Sequence, residues 1–397
     1  MAGRKEFQWK VALILFGVLF LGVSDTQLVP PLLPLIAQGL GATSGRAGIV
    51  VTSYSLAAAA FALFAGPLSD RIGRKKVLAG GLALFAAASV STYHVSTLNA
   101  LVIVRTLTGF AAGTLSTCAL SFAGDYYSYS QRGRAMGLIS MAYFMAFVVS
   151  APAGALIGPR WGWQSVFGWI AGLGMCMFVL AAWGLPRDAR RPPRQFAIPR
   201  FSIHFRKPDR MAGMAAAFLT SGGLVGYITY VSAWLTTAHG VGFNQIAFVF
   251  MISGVAAVAA SPLAGWLSDH AGKKNVIVWS NLLLAPIFLI VARLDWGWPL
   301  WSGIAVLSVA ASARQAPLHA LTTEIVGPEI RGEYTAIRNA ASQIGIAVSA
   351  TISAYAFDAS GFSGVSYLAA GLTLLVPVTC VWLKDSSPWQ SGNKILE

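Results

Sequence analysis

Residues 66–76 read GPLSDRIGRKK, and residues 265–275 read GWLSDHAGKKN. Each is a polar stretch opened by a glycine, rich in cations, and set between two long apolar runs. A shift of 199 residues places Gly66 on Gly265, Leu68 on Leu267, Ser69 on Ser268, Asp70 on Asp269, Gly73 on Gly272 and Lys75 on Lys274. The same shift carries Asp125 onto Glu324 and Arg132-Gly133 onto Arg331-Gly332. Two separate loops that agree on one offset point to a unit duplicated in parallel.

The apolar runs say what kind of unit it is. Of 397 residues 56% are hydrophobic and only 11% charged, against roughly 25% charged in soluble domains. The apolar residues come in blocks of about twenty, enough to cross a ~30 Å hydrocarbon core at ~1.5 Å per residue. Twelve spans fit, near 11–37, 46–65, 77–95, 98–120, 135–157, 164–185, 211–238, 243–264, 276–292, 299–323, 334–357 and 363–383. The expected fold is an all-α membrane protein of twelve transmembrane helices in two parallel six-helix halves, 1–185 and 211–397. Between them PRDARRPPRQFAIPRFSIHFRKPDR, 186–210, is basic and proline-rich, and reads as a linker rather than a buried element.

The net charge of +14 belongs to this topology and not to a nucleic-acid partner, because the cations sit in the turns between apolar blocks. With the N-terminus inside, 22 of the 28 Lys and Arg fall in inner segments, and only Arg46, Arg160 and Arg293 fall in outer loops. The positive-inside rule then puts both termini and the linker in the cytoplasm, with the linker resting on anionic headgroups. Cys118, Cys176 and Cys380 lie in apolar segments without metal or redox spacing and read as small core residues. The basic start lacks a small-x-small cleavage site, so the first run reads as an uncleaved span.

Charges inside spans are functional candidates, since each costs at least ~2.5–3.5 kcal/mol to insert. Helical rise puts Asp25 about 9 Å, and Arg105 about 10 Å, from the outer edge of the bilayer. Equal depth predicts that they pair, as a proton-coupling switch or as a static brace. Arg314 has no acid close in sequence. It reads as the partner of an anionic substrate group or lipid phosphate, or as paired with Glu324 or a helix end. His319 reads as a packed helix-end residue or a proton carrier, and Arg338 as a snorkelling cation. Pro30, Pro31 and Pro34 remove backbone bonds near the outer mouth of the first helix.

These stretches resemble a known family. GPLSDRIGRKK is similar to the signature loop between helices two and three of the major facilitator superfamily, with its weaker copy between helices eight and nine. The span from Asp125 to Arg132-Gly133 resembles the family's fourth-to-fifth loop, and Arg105 in RTLTGFAAG, with Gly109 and Gly113, its fourth-helix motif. The resemblance covers the whole chain. It implies alternating access and a cytoplasmic gate of Asp70, Arg71, Arg74, Asp125 and Arg132, in which Arg71 and Arg74 pair with Asp70 and Asp125. This network locks the halves while the outer side is open. Asp269, Lys273, Glu324 and Arg331 would form a weaker copy, since His270 replaces the first arginine. The other reading of the loop is a positive-inside anchor alone.

The resemblance also makes helices one and four cavity-lining neighbours. Substrate-binding candidates are then Gln27, Tyr54, Tyr143, Tyr227, Arg314, Gln315, His319, Arg338 and Gln343. VSDTQLVPPLLPLIA is similar to the first helix of proton-coupled drug and metabolite exporters. Their fifth-helix Gly-Pro-x-x-Gly-Gly appears here as SAPAGALIG, with Ala151 and Ala155 in glycine positions, and Gln164 stands where an arginine is common. An Asp in helix one with an Arg in helix four also resembles the lysolipid-transporting branches. The leading expectation is proton-coupled export by antiport of a small amphiphilic compound. The alternatives are proton symport of an organic anion, movement of a lysolipid, or a sensor that does not transport. No phosphate loop, nucleophile–base set or metal-ligand cluster supports an enzyme or ATP-driven transport. The expected energy source is the proton gradient, the expected state a monomer, and the expected location a bacterial cytoplasmic (inner) membrane.

Overall fold

The computed structural model describes residues 7–186, 201–327 and 330–383; most of the linker and the last residues lie outside this range. The described residues form helices and turns without a strand. The helices are α1 (Trp9–Gly39), α2 (Ile49–Ile72), α3 (Arg74–Ser91), α4 (Leu98–Tyr126), α5 (Tyr129–Trp161), α6 (Trp163–Gly184), α7 (Pro208–His239), α8 (Phe243–Ala271) and α9 (Lys273–Val291). Helix α10 comes in two pieces, Trp298–Ala313 and Gln315–Glu324. The continuous stretch Arg331–Thr379 is α11 (331–360) and α12 (362–379), separated by Gly361 at φ 65°, ψ −157°. Each expected span falls on one of these, with ends that differ by up to seven residues. Ten unbroken helices are long and apolar enough to cross a membrane. They give twelve crossings because α11 and α12 are one continuous stretch and α10 is broken.

The polar stretch that opened the sequence is not a loop. Residues 66–72 are the last turns of α2, 74–76 the first turn of α3, and Gly73 alone turns the chain, at φ 108°. Helix continues through these polar residues up to Gly73, whose positive φ ends α2. Gly66 is not required for close approach: a Cβ there would meet Thr117 at an ordinary 3.9 Å, and at Gly265 nothing within 4 Å.

The duplication is written into the backbone. Left-handed glycines occur at 41 and 240, 73 and 272, and 162 and 361, each pair 199 residues apart. Only Gly297, also left-handed, has no image. Ser69 Oγ donates to the Gly66 carbonyl at 2.8 Å, and Ser268 Oγ to that of Gly265 at 2.9 Å.

The halves meet through α2 with α11, α5 with α8, and α1 with α7. The described hydrogen bonds between them lie at the end opposite the basic turns, called here the far end. Thr52 and Thr351 share a 2.9 Å hydroxyl bond, and Thr43 Oγ1 donates to Asp358 at 2.9 Å. Ser232 Oγ donates to the carbonyl of Pro30. That carbonyl is available because Pro34, four residues on, has no N–H to offer it. The prolines of α1 thus make a socket for the other half.

One expectation fails in the linker. Its end, Phe201–Phe205, is a short helix, and His204 is only 1% exposed. His204 Nε2 lies 3.5 Å from Glu333 and its ring 5.7 Å from that of Tyr334, whose hydroxyl donates to the Arg210 carbonyl at 3.1 Å. His204 docks against α11 as a single side chain, while its neighbours Ile203 and Phe205 stay exposed.

Candidate functional site

Asp25 on α1 and Arg105 on α4 are paired, as equal depth requires. Arg105 Nη1 donates to both carboxylate oxygens, at 2.9 and 2.7 Å, and both side chains are at most 2% exposed. The guanidinium lies over two rings, its Cζ 4.5 Å from the Tyr54 centroid and 5.5 Å from that of Phe167. Such cation–π contacts add roughly 0.5–2 kcal/mol each. Arg105 Nε has no partner. The Tyr54 hydroxyl donates to the Gly22 carbonyl at 3.1 Å, tying α2 to α1. Next to Asp25, Ser150 of α5 donates to Ser24 at 2.7 Å. The site therefore joins α1, α2, α4, α5 and α6 around one ion pair, and loss of either partner would strand the other in a dry environment.

A second cluster belongs to the other half. Arg338 on α11 is 3% exposed and does not snorkel. Its Nη2 lies 2.7 Å from His319 Nδ1 and 2.9 Å from Asn339 Oδ1. Arg338 is also in electrostatic range of Tyr143, on α5 of the first half. Tyr143 is in turn in range of Tyr54, yet 41% exposed. Tyr143 thus lies between the two clusters, across the seam of the halves. No carboxylate pairs with Arg338 among the described residues.

Arg314 is fully buried at the break in α10 and is not paired with Glu324. It donates to Asn281 Oδ1 at 2.6 Å and to the Thr220 carbonyl at 3.2 Å. It stands at the C-terminal end of the first α10 piece, where the helix dipole favours a cation. Arg314 is 0% exposed in this conformation. The Tyr227 ring packs against Phe288 and Phe362 at 4.6 and 4.7 Å inside the second half. Gln27, Gln315 and Gln343 are half-buried and belong to neither cluster.

The gate residues divide sharply. Arg74 bonds Asp70 at 2.9 Å and Asp125 at 2.6 Å, joining the ends of α2, α3 and α4. Lys273 and Glu324 repeat this at 2.5 Å in the second half. Arg71, Arg132, Asp269 and Arg331 are exposed and take no part in these pairs. Both networks stay within one half, because the cation and its carboxylates come from neighbouring helix ends of the same unit. Exchange of Arg71 for alanine is accordingly expected to change the melting temperature by less than about 1 °C, in the range of neutral surface substitutions. Arg74→Ala, which removes the ion pairs to Asp70 and Asp125, should lower it by about 2–4 °C, read by tryptophan fluorescence on heating.

Sequence reading missed Asn281, Phe167 and the His204–Glu333 contact. Asn281 was discoverable as an amide in an apolar span; Phe167 was one aromatic among many.

A sequence profile of the Major Facilitator Superfamily matches residues 15–242 and again 213–397. The multidrug resistance protein MdtL of Klebsiella pneumoniae subsp. pneumoniae is 31% identical over 185 residues, 47% of each chain. The 4-hydroxybenzoate transporter PcaK of Pseudomonas putida is 25% identical over 313 residues, 68% of each. The crystal structure of a D-xylose-proton symporter superposes with a TM-score of 0.78 at 15% identity, covering 94% of this chain and 97% of that one. Duplicated elbows, twelve crossings and a whole-length profile match agree: this multi-pass integral membrane protein is a transporter of the Major Facilitator Superfamily.

Proposed function

We propose that this protein is a proton-coupled transporter of small organic anions. The observation that carries the reading is Arg338, a desolvated guanidinium facing the opposite half with no described carboxylate to neutralise it. A buried cation without a countercharge is costly, and a substrate carboxylate bound there would offset that cost. His319 and Tyr143 beside it offer further polar contacts. The proton would be carried by Asp25, which would take it up when Arg105 swings away and give it up when Arg105 returns. The basic end would face the cytoplasm, in keeping with the positive-inside rule. The conformation described, sealed at the far end, would then be the one open inward, and rocking of the halves would expose the same site to the other side. The similarity to PcaK supports an aromatic acid as the substrate class.

The test uses proteoliposomes with a trapped pH dye, 4-hydroxybenzoate as anion probe and a panel of amphiphilic cations. Proton flux should follow the anion and not the cations. Arg338→Gln should raise KM for the anion roughly tenfold to a hundredfold, the worth of a charge-assisted hydrogen bond of about 1.5–3 kcal/mol. Flux driven by cations and indifferent to Arg338→Gln would overturn the reading. It would favour drug export by antiport, which the first-helix resemblance and the partial match to MdtL support.

A further inference from the structure

A cleft of about 490 Å³ lies at the far end of the α5–α8 seam. Its walls are Leu156, Pro159 and Arg160 at the end of α5 and residues 242–245 at the start of α8, so both halves build it. Leu156, Phe248, Met251 and Val255, along these two helices, are exposed apolar side chains of the kind that face lipid. The bases of its two walls are closely packed deeper down, where a Cβ on Gly254 would stand 2.9 Å from Val148 Cα. The exposed apolar side chains of α8 continue from the mouth of the cleft along the seam. Arg160 is exposed and has no hydrogen bond or ion pair among the described residues. Trp161 and Trp169 beside it are 64% and 63% exposed with rings 6.3 Å apart. Exposed tryptophans mark the headgroup level.

We infer that this cleft holds an anionic phospholipid. The phosphate would sit on Arg160, with the side-chain amides of Asn244 and Gln245 at its rim, and an acyl chain would run down the seam over the apolar face of α5 and α8. The charge matches: an exposed arginine with no described ion pair is a ready partner for a lipid phosphate, in a charge-assisted contact that can be bidentate. The volume suits a headgroup and the first carbons of a chain. A lipid here would bridge the halves at the end where they already touch.

Native mass spectrometry of the purified full chain tests this, with phosphatidylglycerol and phosphatidylcholine of equal chain length as probes. Wild type should retain phosphatidylglycerol at least fivefold over phosphatidylcholine. Arg160→Ala should erase that preference, while Arg46→Ala, at the same end, should keep it. Equal retention by wild type and Arg160→Ala, or equal loss in both variants, would overturn the site. Displacement of the lipid by millimolar inorganic phosphate would overturn the choice of a lipid as its occupant.

Discussion

Cutting Arg105 to alanine with Asp25 left in place is expected to abolish recovery of folded protein from the membrane. The carboxylate would remain fully buried without its only described cation, and removing one partner of such a pair costs about 3–5 kcal/mol. That is a large share of a net stability of roughly 5–15 kcal/mol. Asp25→Asn alone should be milder, because Arg105 keeps its stacking on Tyr54 and Phe167. The double replacement, Asp25→Asn with Arg105→Gln, removes both charges at similar shape, and buried pairs replaced together are often neutral in stability. It should restore a monodisperse protein with a melting temperature within a few degrees of wild type. Its transport decides between the two roles of the pair. Substrate-driven proton flux absent from this well-folded double variant makes the pair a coupling site. Flux at the wild-type level makes it a brace and sinks the proposal for Asp25.

Gly109→Val and Gly345→Val should be equally disruptive, for steric reasons. A Cβ on Gly109 would stand 2.3 Å from the Tyr54 carbonyl oxygen, and one on Gly345 2.2 Å from that of Phe218. The obstacle in each case is helix backbone, which cannot turn aside as a flexible side chain can. The cost should meet or exceed the roughly 1–3 kcal/mol of ordinary overpacking. The consequence reaches the site, because the α2–α4 contact at Gly109 also sets Tyr54 over Arg105. Loss of a symmetric size-exclusion peak in both variants is the expected result. Gly133→Ala, with nothing within 4 Å of its Cβ, should elute as wild type does. A normal peak and melt for Gly109→Val would mean the α2–α4 packing is looser than described.

Most of the fold was legible because its signals are large and local. Apolar blocks set the crossings, and the offset seen in GPLSDRIGRKK reappears as left-handed glycines at matched positions. The Asp25–Arg105 pair was legible as well, since helical rise converts sequence distance into depth. What escaped depends on rotation about a helix axis, which counting cannot supply. Arg314 and Arg338 are both intramembrane arginines, yet one is sealed inside its half and the other faces the neighbouring half. Arg71 and Arg74 lie three residues apart, and only Arg74 points at the carboxylates. The buried His204 was hidden by the charge of the segment around it, which outweighs its three apolar neighbours Phe201, Ile203 and Phe205 in any composition average.

The matched glycines carry one more consequence, about inheritance. The elbows at 41, 73 and 162 survive at 240, 272 and 361, but the buried charges do not survive the same shift. Asp25 corresponds to Leu224, Arg105 to Ile304, Arg314 to Leu115 and Arg338 to Ile139. The two copies therefore share their joints and differ in their buried charges. Divergence has left one copy with an ion pair and the other with isolated cations. A protein of this ancestry can change its cargo by altering side chains in a single copy, without disturbing the hinges of either.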